Sequence, residues 1–175
     1  MNEFGRLLEN EIPRMRRYAR ALTRNTAKSD DLVQSSLMRA LEKQHLWQPG
    51  SNLRAWLFTI LHNQNVNEVR RLLRQGSLGP VEEAGFVYVE PVADASLHLR
   101  DLQRAMNTLC HEQREVLLLA GLEGMRYEQV ATILDIPVGT VRSRLSRART
   151  TLRLLMDGAK SVNNRWSERC DDLAA

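Results

Sequence analysis

Apolar residues that recur every three or four positions dominate this chain, and this spacing constrains its fold more than any other feature. Such spacing places side chains on one face of an α-helix. One series runs from Leu7 to Leu22, a second from Leu32 to Leu41 and a third from Leu53 to Val66. Further series follow between Leu97 and Leu155. No convincing period-two alternation competes outside one short segment, so we predict an all-α fold.

A helix-breaking acidic segment separates the two sets of helices. Residues 76–96 contain three glycines, two prolines and four acids, with no Lys or Arg. Gly and Pro at this density interrupt a helical pattern. We therefore predict two small helical domains (1–75 and 97–158), an acidic flexible linker over 76–96 and a C-terminal tail over 159–175. The linker's FVYV stretch leaves a short strand or a partner-docking segment open as alternatives.

The charge balance favours an anionic partner. Lys and Arg outnumber Asp and Glu by 25 to 21, and four of those acids lie in the linker. Neither a signal peptide nor an apolar run long enough to cross a membrane is visible. Two cysteines, Cys110 and Cys170, do not suggest a disulfide framework. We expect a cytoplasmic protein without membrane insertion.

Catalytic and metal chemistry have little support. The four histidines are scattered, no Gly-rich phosphate loop occurs, and no carboxylate pair stands in a catalytic motif. Cys110 and His111 are candidate metal ligands, but a zinc site needs more ligands at fixed spacing. We expect no catalytic residue, metal or cofactor, and an enzyme remains the rival class.

A helix rich in arginine closes the second set. Its apolar residues fall on one stripe at about 100 degrees per residue, and five arginines with no acid occupy the rest of 138–156. The stripe consists of Val141, Leu145, Ala148, Leu152 and Leu155. Hydroxyls flanked by guanidinium groups suit a DNA major groove, where Arg bonds phosphates or guanine. The alternative is a solvated amphipathic helix, whose charges would ordinarily mix signs.

The stretch LEGMRYEQVATILDIPVGTVRSRLSRARTTL resembles the region 4 helix-turn-helix of bacterial extracytoplasmic-function sigma factors of the sigma-70 family. Asp135, Ile136 and Pro137 have the length of the turn that joins its two helices. A departure is that Cys110 and His111 replace the family's Leu-Pro pair, which leaves that helix start less sharply fixed. The resemblance implies contact with the duplex −35 promoter element by Thr140, Arg142, Ser143, Arg144, Ser146, Arg147 and Arg149.

The first set of helices carries a matching resemblance. SDDLVQSSLMRAL is similar to the region 2 helix that grips the clamp helices of the largest RNA polymerase subunit, and WQPGSNLRAWLFTILHNQNVNEVRR to the part that melts and reads the −10 element. Implied polymerase-binding residues are Asp30, Asp31, Leu32, Val33 and Gln34. Implied −10 contacts are Pro49, Gly50, Ser51, Asn52, Asn63, Asn67, Arg70 and Arg71. The implied partners are core RNA polymerase (clamp helices and flap), promoter DNA and an anti-sigma factor.

Local chemistry supports part of this assignment. Ser29 with Asp30 and Asp31 predicts the N-terminal cap of the second helix, and the two acids with Gln34 form an anionic patch. An extruded base has to recover its hydrogen bonds, which amides and loop backbone supply.

Trp56 lies on the apolar series, so we expect it in the core. The basic run from Arg14 to Arg24 leaves polymerase contact, DNA contact and a solvated face open.

Two rival functions share these motifs. Some response regulators contain a sigma-like domain that binds an anti-sigma factor instead of DNA, and PGSNLRAWLFTIL resembles the alphaproteobacterial general stress group in which that mimicry occurs. A receiver domain is then expected after the sigma-like part, and the intact arginines favour a true sigma factor. The other rival is a helix-turn-helix regulator without polymerase function. We expect the linker to thread near the polymerase active-site cleft or RNA exit path.

Overall fold

The computed structural model describes residues 3–75 and 97–156. Its helices are α1 (Glu3–Thr23), α2 (Thr26–Glu42), α3 (Leu53–Arg74), α4 (Leu97–Asn107), α5 (His111–Leu117), α6 (Tyr127–Leu134) and α7 (Val138–Met156). A 3-10 turn, Gln44–Leu46, follows α2, and a π-helical turn, Leu118–Leu122, extends α5. These two ranges contain no strand, so the all-α prediction is confirmed. The predicted linker with its FVYV stretch and the predicted C-terminal tail lie outside the described residues.

The first three helices form one bundle. α1 packs on α2 and α3, and α2 packs on α3. Met15, Tyr18, Leu57 and Phe58 are almost fully buried at its centre. The rings of Tyr18 and Phe58 meet edge to face with their centroids 5.1 Å apart, a favoured aromatic geometry. Trp56 packs against the same core, as its place in the apolar series predicted.

The start of α2 corrects one prediction. Ser29 with the following acids was the predicted cap, but α2 begins at Thr26 and is capped by Asn25. The Oδ1 atom of Asn25 accepts a hydrogen bond from the backbone N–H of Lys28 at 3.0 Å. Ser29 is fully buried instead, and its hydroxyl donates to the carbonyl of Thr26 at 2.7 Å. The prediction was wrong because several residues here can cap a helix, and the tight connection from α1 selects among them.

The remaining four helices form a second bundle around α7, which packs on α4, α5 and α6. Val141, Leu145 and Ala148 are buried, and the later stripe residues of α7 are half-buried. Asp135 adopts a left-handed conformation (φ 52°) between α6 and α7. The helix-turn-helix predicted from the sequence is therefore present.

A buried arginine stabilises the junction between α4 and α5, next to Cys110 and His111. The guanidinium of Arg114 donates to the carbonyls of Met106, Asn107 and Leu109 at 3.1, 3.4 and 2.6 Å. Carbonyls at the end of a helix such as α4 have no partner within that helix. Burial, followed by the nearby charge of Arg24, lowers the pKa of Arg114 to about 10. Arg114 thus holds the end of α4 against α5.

The two bundles pack directly against each other. α3 lies against α6, and α1 lies against α5 and the π-helical turn. The buried apolar residues of both bundles form one continuous cluster. No helix in the described ranges has the length and apolar character needed to cross a membrane.

Candidate nucleic-acid interface

α7 presents an arginine ridge, which we define as Arg142, Ser143, Ser146, Arg147 and Arg149. All five residues are exposed, whereas Thr140 and Arg144, also predicted to contact DNA, are half-buried. The buried side of α7 packs on three helices, and this packing fixes the ridge towards solvent. Within the described ranges, no ion pair involves an arginine of α7. The ridge therefore carries positive charge that no acid of the described fold neutralises.

Two hydroxyls beside these arginines donate hydrogen bonds to backbone carbonyls of α7. Ser143 donates to the carbonyl of Thr140 at 3.0 Å, and Thr150 donates to the carbonyl of Ser146 at 3.0 Å. A hydroxyl that donates in this way still has lone pairs that accept a hydrogen bond. The ridge thus combines guanidinium donors, which match guanine and phosphate oxygens, with small acceptors that match base amino groups.

The five residues of α2 predicted to bind polymerase differ in exposure. Leu32 and Val33 are only 7% and 2% exposed, so they support the surface from the core and do not form it. Asp31 and Gln34 are exposed, and Asp30 is half-buried. The exposed face continues through Met38 and Leu41, which are 64% and 49% exposed. We call Asp31, Gln34, Met38 and Leu41 the α2 face, an exposed acidic and apolar surface.

The loop before α3 borders a cavity of about 510 Å³ together with the start of α1. Pro49, Gly50 and Ser51 line it, and Gly50 has a positive φ of 86°, which a residue with a side chain rarely adopts. The ring of Trp47 forms another wall. Asn52 is engaged elsewhere, because its side chain caps α3 by accepting from the N–H of Ala55 at 3.1 Å.

Asn63 and Asn67 line a different cavity, of about 650 Å³, between α2 and α3. Met38 and Arg39 of α2 form its opposite wall. Asn63 therefore lies in a different cavity from the loop before α3, and both stay predicted contacts to the −10 element. Asn52 at the start of α3 and Asn63 are separated by a rise of about 16 Å along the helix, at 1.5 Å per residue.

The basic end of α3 is exposed, but its two predicted contacts differ. Arg70 makes no ion pair among the described residues. Arg71 pairs with Glu68, with 2.6 Å between Nη2 and Oε1. That hydrogen bond is the main reason why the pKa of Glu68 is lowered. A phosphate therefore has to compete with Glu68 for Arg71.

A polar cluster that the sequence pattern did not predict lies between the two bundles. Arg17 of α1 donates to Glu123 at 3.0 Å, and Arg14 lies 3.9 Å from the other carboxylate oxygen of Glu123. His62 of α3 lies 2.6 Å from Glu115 of α5. We call these five residues the interdomain cluster. Glu115 and Glu123 stand directly before and after the apolar stretch from Val116 to Leu122, and these two acids were the feature of the sequence that could have indicated the cluster.

Two further residues border this cluster. Asn65 is buried and its amide lies 3.3 Å from Nε2 of His111, so it is unlike its exposed neighbours Asn63 and Asn67. Burial raises the pKa of Tyr18 well above its ordinary value of 10.0, and the nearby carboxylates of Glu115 and Glu123 raise it further. No group of three or more His, Cys, Asp or Glu side chains in the described part of the chain is arranged to hold a metal ion.

Both bundles match known protein families. Residues 8–62 match the Sigma2 domain of PhyR, and residues 99–152 match sigma-70 region 4. The ECF RNA polymerase sigma factor EcfG of Rhodopseudomonas palustris is 40% identical over 156 residues, which cover 85% of this chain and 83% of EcfG. The ECF RNA polymerase sigma factor SigE of Mycolicibacterium smegmatis is 32% identical over 158 residues, which cover 87% of this chain and 61% of SigE.

A solved structure is similar over almost the whole chain. It contains the sigma factor RpoE in complex with the anti-sigma factor NepR, both from Bartonella quintana. The TM-score is 0.79 at 36% sequence identity, with 94% of this chain and 100% of RpoE covered. The arrangement of both bundles is thus similar to that of RpoE in this complex.

Proposed function

The chain belongs to the extracytoplasmic-function (ECF) RNA polymerase sigma factors, and from that premise we propose how its two bundles divide the work of promoter recognition. It binds core RNA polymerase and directs initiation to promoters that carry matching −35 and −10 elements. Polymerase does the chemistry, and this chain supplies specificity without a catalytic site of its own. Its place of action is the cytoplasm, where polymerase and promoter DNA are found.

The arginine ridge is the observation that carries this proposal. It enters the major groove of the duplex −35 element, where Arg142 and Arg147 reach base edges on either side of Ser143 and Ser146. Arg149 and the half-buried Arg144 bind phosphates, which position the helix without reading sequence. The unpaired state of these guanidinium groups favours this role, because no internal ion pair has to be broken when DNA binds.

The first bundle captures the melted −10 strand in two places. One unstacked base enters the cavity bordered by Pro49, Gly50 and Ser51, where exposed loop backbone and the Trp47 ring are available. The amides of Asn63 and Asn67 offer both donors and acceptors in the second cavity. Unstacking costs a few kcal/mol per base, and preformed cavities offset that cost. Arg70 holds the adjoining phosphate backbone.

The α2 face docks on the clamp helices of the largest polymerase subunit. Its exposed apolar residues, Met38 and Leu41, supply buried area, and Asp31 and Gln34 supply polar contacts with basic helices. The second bundle contacts the polymerase flap. An anti-sigma protein regulates the chain, in keeping with the complex of the similar RpoE with NepR. We place residues 76–96 near the polymerase active-site cleft or RNA exit path.

In vitro transcription tests the proposal. Core polymerase, the full chain and a library with randomised −35 and −10 elements are combined, and the transcript starts are sequenced. We expect starts downstream of one enriched pair of elements, which disappear when the chain is omitted. The proposal fails if the chain neither binds core polymerase nor changes where transcription begins.

One observation favours a second candidate, a decoy that sequesters an anti-sigma factor. The match of residues 8–62 is to the Sigma2 domain of PhyR, and a structure of the PhyRSL-NepR complex contains a chain with a similar fold. The same transcription assay separates the two functions. A decoy leaves the starts unchanged with core polymerase alone, and it restores transcription by another sigma factor that an added anti-sigma protein has inhibited.

A further inference from the structure

We propose that Met38 is an oxidation site, at which a peroxide converts the thioether to a sulfoxide and thereby weakens docking of the α2 face on polymerase. The inference deepens the proposed function and rests on it only for the effect on polymerase. The oxidation itself is a property of the free chain. It gives the α2 face a chemical sensitivity that its other three members, which carry no sulfur, do not have.

Met38 is the most exposed methionine in the described ranges. It is 64% exposed, and Met156, at the end of α7, is 44% exposed. Met15 and Met125 are buried, and Met106 is half-buried. A peroxide has to reach the sulfur atom before it reacts, so oxidation follows exposure. We therefore expect Met38 to react ahead of the three methionines that are packed inside the bundles.

The surroundings of Met38 connect it to two surfaces of the first bundle. It belongs to the α2 face, and it also lines the cavity of about 650 Å³ that contains Asn63 and Asn67. The side-chain amides of Asn63 and Asn67 make no hydrogen bond to another described residue. A sulfoxide oxygen accepts hydrogen bonds, which the N–H groups of these two amides are able to donate. The same cavity therefore offers partners to the oxidised side chain.

The peroxide supplies everything that the oxidation needs. The sulfur lone pair attacks one oxygen of hydrogen peroxide and the O–O bond breaks. The departing hydroxide takes the proton of the transferred oxygen and leaves as water. Sulfur loses two electrons and the peroxide gains them. A methionine sulfoxide reductase reverses the change with two electrons and two protons from thiols, and it releases the oxygen as water.

Oxidation changes the character of the α2 face. A thioether is apolar and adaptable, which suits a surface that packs against another protein. A sulfoxide is polar, and its burial in an interface is unfavourable wherever no donor reaches it. Leu41 remains apolar, so docking is weakened and not abolished. Bound polymerase covers Met38 in turn, and the peroxide therefore acts on the free chain.

Mass spectrometry of the folded, full-length chain tests the site first. The protein is treated with hydrogen peroxide for increasing times, and the sulfoxide content is followed in peptides that contain Met38, Met15 and Met125. We expect Met38 to be oxidised several times faster than the two buried methionines, because only its sulfur is open to solvent. Equal rates for Met38 and Met15 in the folded chain would overturn the inference.

Polymerase affinity tests the consequence. Met38→Leu resists oxidation and keeps an apolar side chain of similar volume, and Met156→Leu is the matched control that removes the other exposed sulfur. Each protein is freed of peroxide and titrated with core polymerase, with anisotropy of the labelled chain as the signal. Oxidation should raise the dissociation constant of wild type and Met156→Leu about tenfold and leave Met38→Leu unchanged. Methionine sulfoxide reductase with dithiothreitol should restore the affinity.

Two results of the titration would overturn the inference. One is an equal loss of affinity in oxidised wild type and oxidised Met38→Leu, since the two cysteines are present in both proteins and the damage would then lie away from Met38. The other is an unchanged affinity in oxidised wild type. Failure of the untreated chain to bind core polymerase contradicts the proposed function instead, and mass spectrometry alone then decides whether Met38 is an oxidation site.

Discussion

The helices α7 and α1 are both amphipathic and rich in arginine, but the groups that surround their arginines differ. The α7 arginines form no ion pair within the described ranges. On α1, Arg17 donates to Glu123 at 3.0 Å. Arg24, just after α1, donates to the carbonyl of Asn107 at 3.2 Å. A basic helix is therefore not by itself a nucleic-acid surface, because acids and carbonyls elsewhere in the fold decide what its cations can bind.

This contrast resolves part of an open question. For the basic run from Arg14 to Arg24, polymerase contact, DNA contact and a solvated face were open alternatives in the sequence. Arg14, Arg17 and Arg24 instead contact the second bundle. Arg16 and Arg20 are exposed, and for them all three alternatives stay open.

The largest expected effect comes from removing the support beneath the ridge. Leu145 is 2% exposed, and Leu145→Ala should lower the free energy of unfolding by about 2–5 kcal/mol, because it deletes buried methyl groups and leaves a cavity. Urea unfolding followed by circular dichroism measures this change. The exposed Leu154 is the control, and Leu154→Ala should stay within about 0.5 kcal/mol of wild type. Equal losses in both variants would contradict the assigned buried side of α7.

Substituting one arginine on each helix tests the contrast directly. Arg147→Ala should cost about 1–3 kcal/mol of discrimination at one −35 base pair, because a side chain that reads a base is lost. Arg17→Ala should leave the preferred −35 sequence unchanged, since Glu123 occupies its guanidinium. Transcription from a library of single-base −35 variants measures both effects. A changed −35 preference in Arg17→Ala would show that the contrast between the helices is wrong.

The α2 face offers a comparison between two exposed acids. Asp31→Lys should weaken binding to core polymerase by about 1 kcal/mol or more, because it places a cation against basic clamp helices. Glu9→Lys makes the same charge change on exposed α1 and should leave the affinity nearly unchanged. Fluorescence anisotropy of the labelled chain, titrated with core polymerase, gives both dissociation constants. Similar losses in the two variants would indicate only a general charge effect.

The smallest expected effect concerns Tyr18, beside the interdomain cluster. Its hydroxyl is buried without a hydrogen bond of good geometry in the described structure, so Tyr18→Phe should change the free energy of unfolding at neutral pH by less than about 1 kcal/mol. Because the folded pKa is raised above the ordinary 10.0, the unfolded chain releases this proton first as pH rises. Wild type should therefore lose stability above pH 10 through this group, and Tyr18→Phe should lose less.

Urea unfolding of both proteins at neutral pH and above pH 10 provides this measurement. Tyr127 is the matched control, since it is a half-buried tyrosine at the start of α6. Tyr127→Phe should retain the alkaline loss of wild type. Identical alkaline behaviour in wild type and Tyr18→Phe would contradict the burial-driven shift.

Local patterns in the sequence determined the helical fold, the turn at Asp135 and the exposed arginine ridge. These features follow from spacing along one helix, where residues three or four positions apart share a face and an apolar stripe selects the side that is buried. Tertiary structure decided the cap at Asn25, the burial of Leu32 and Val33, and the separation of Asn63 from the loop before α3. It alone also decided the interdomain cluster. Arg17 and Glu123 lie far apart in the sequence, and only the packing of α1 against the π-helical turn brings their charges within 3.0 Å.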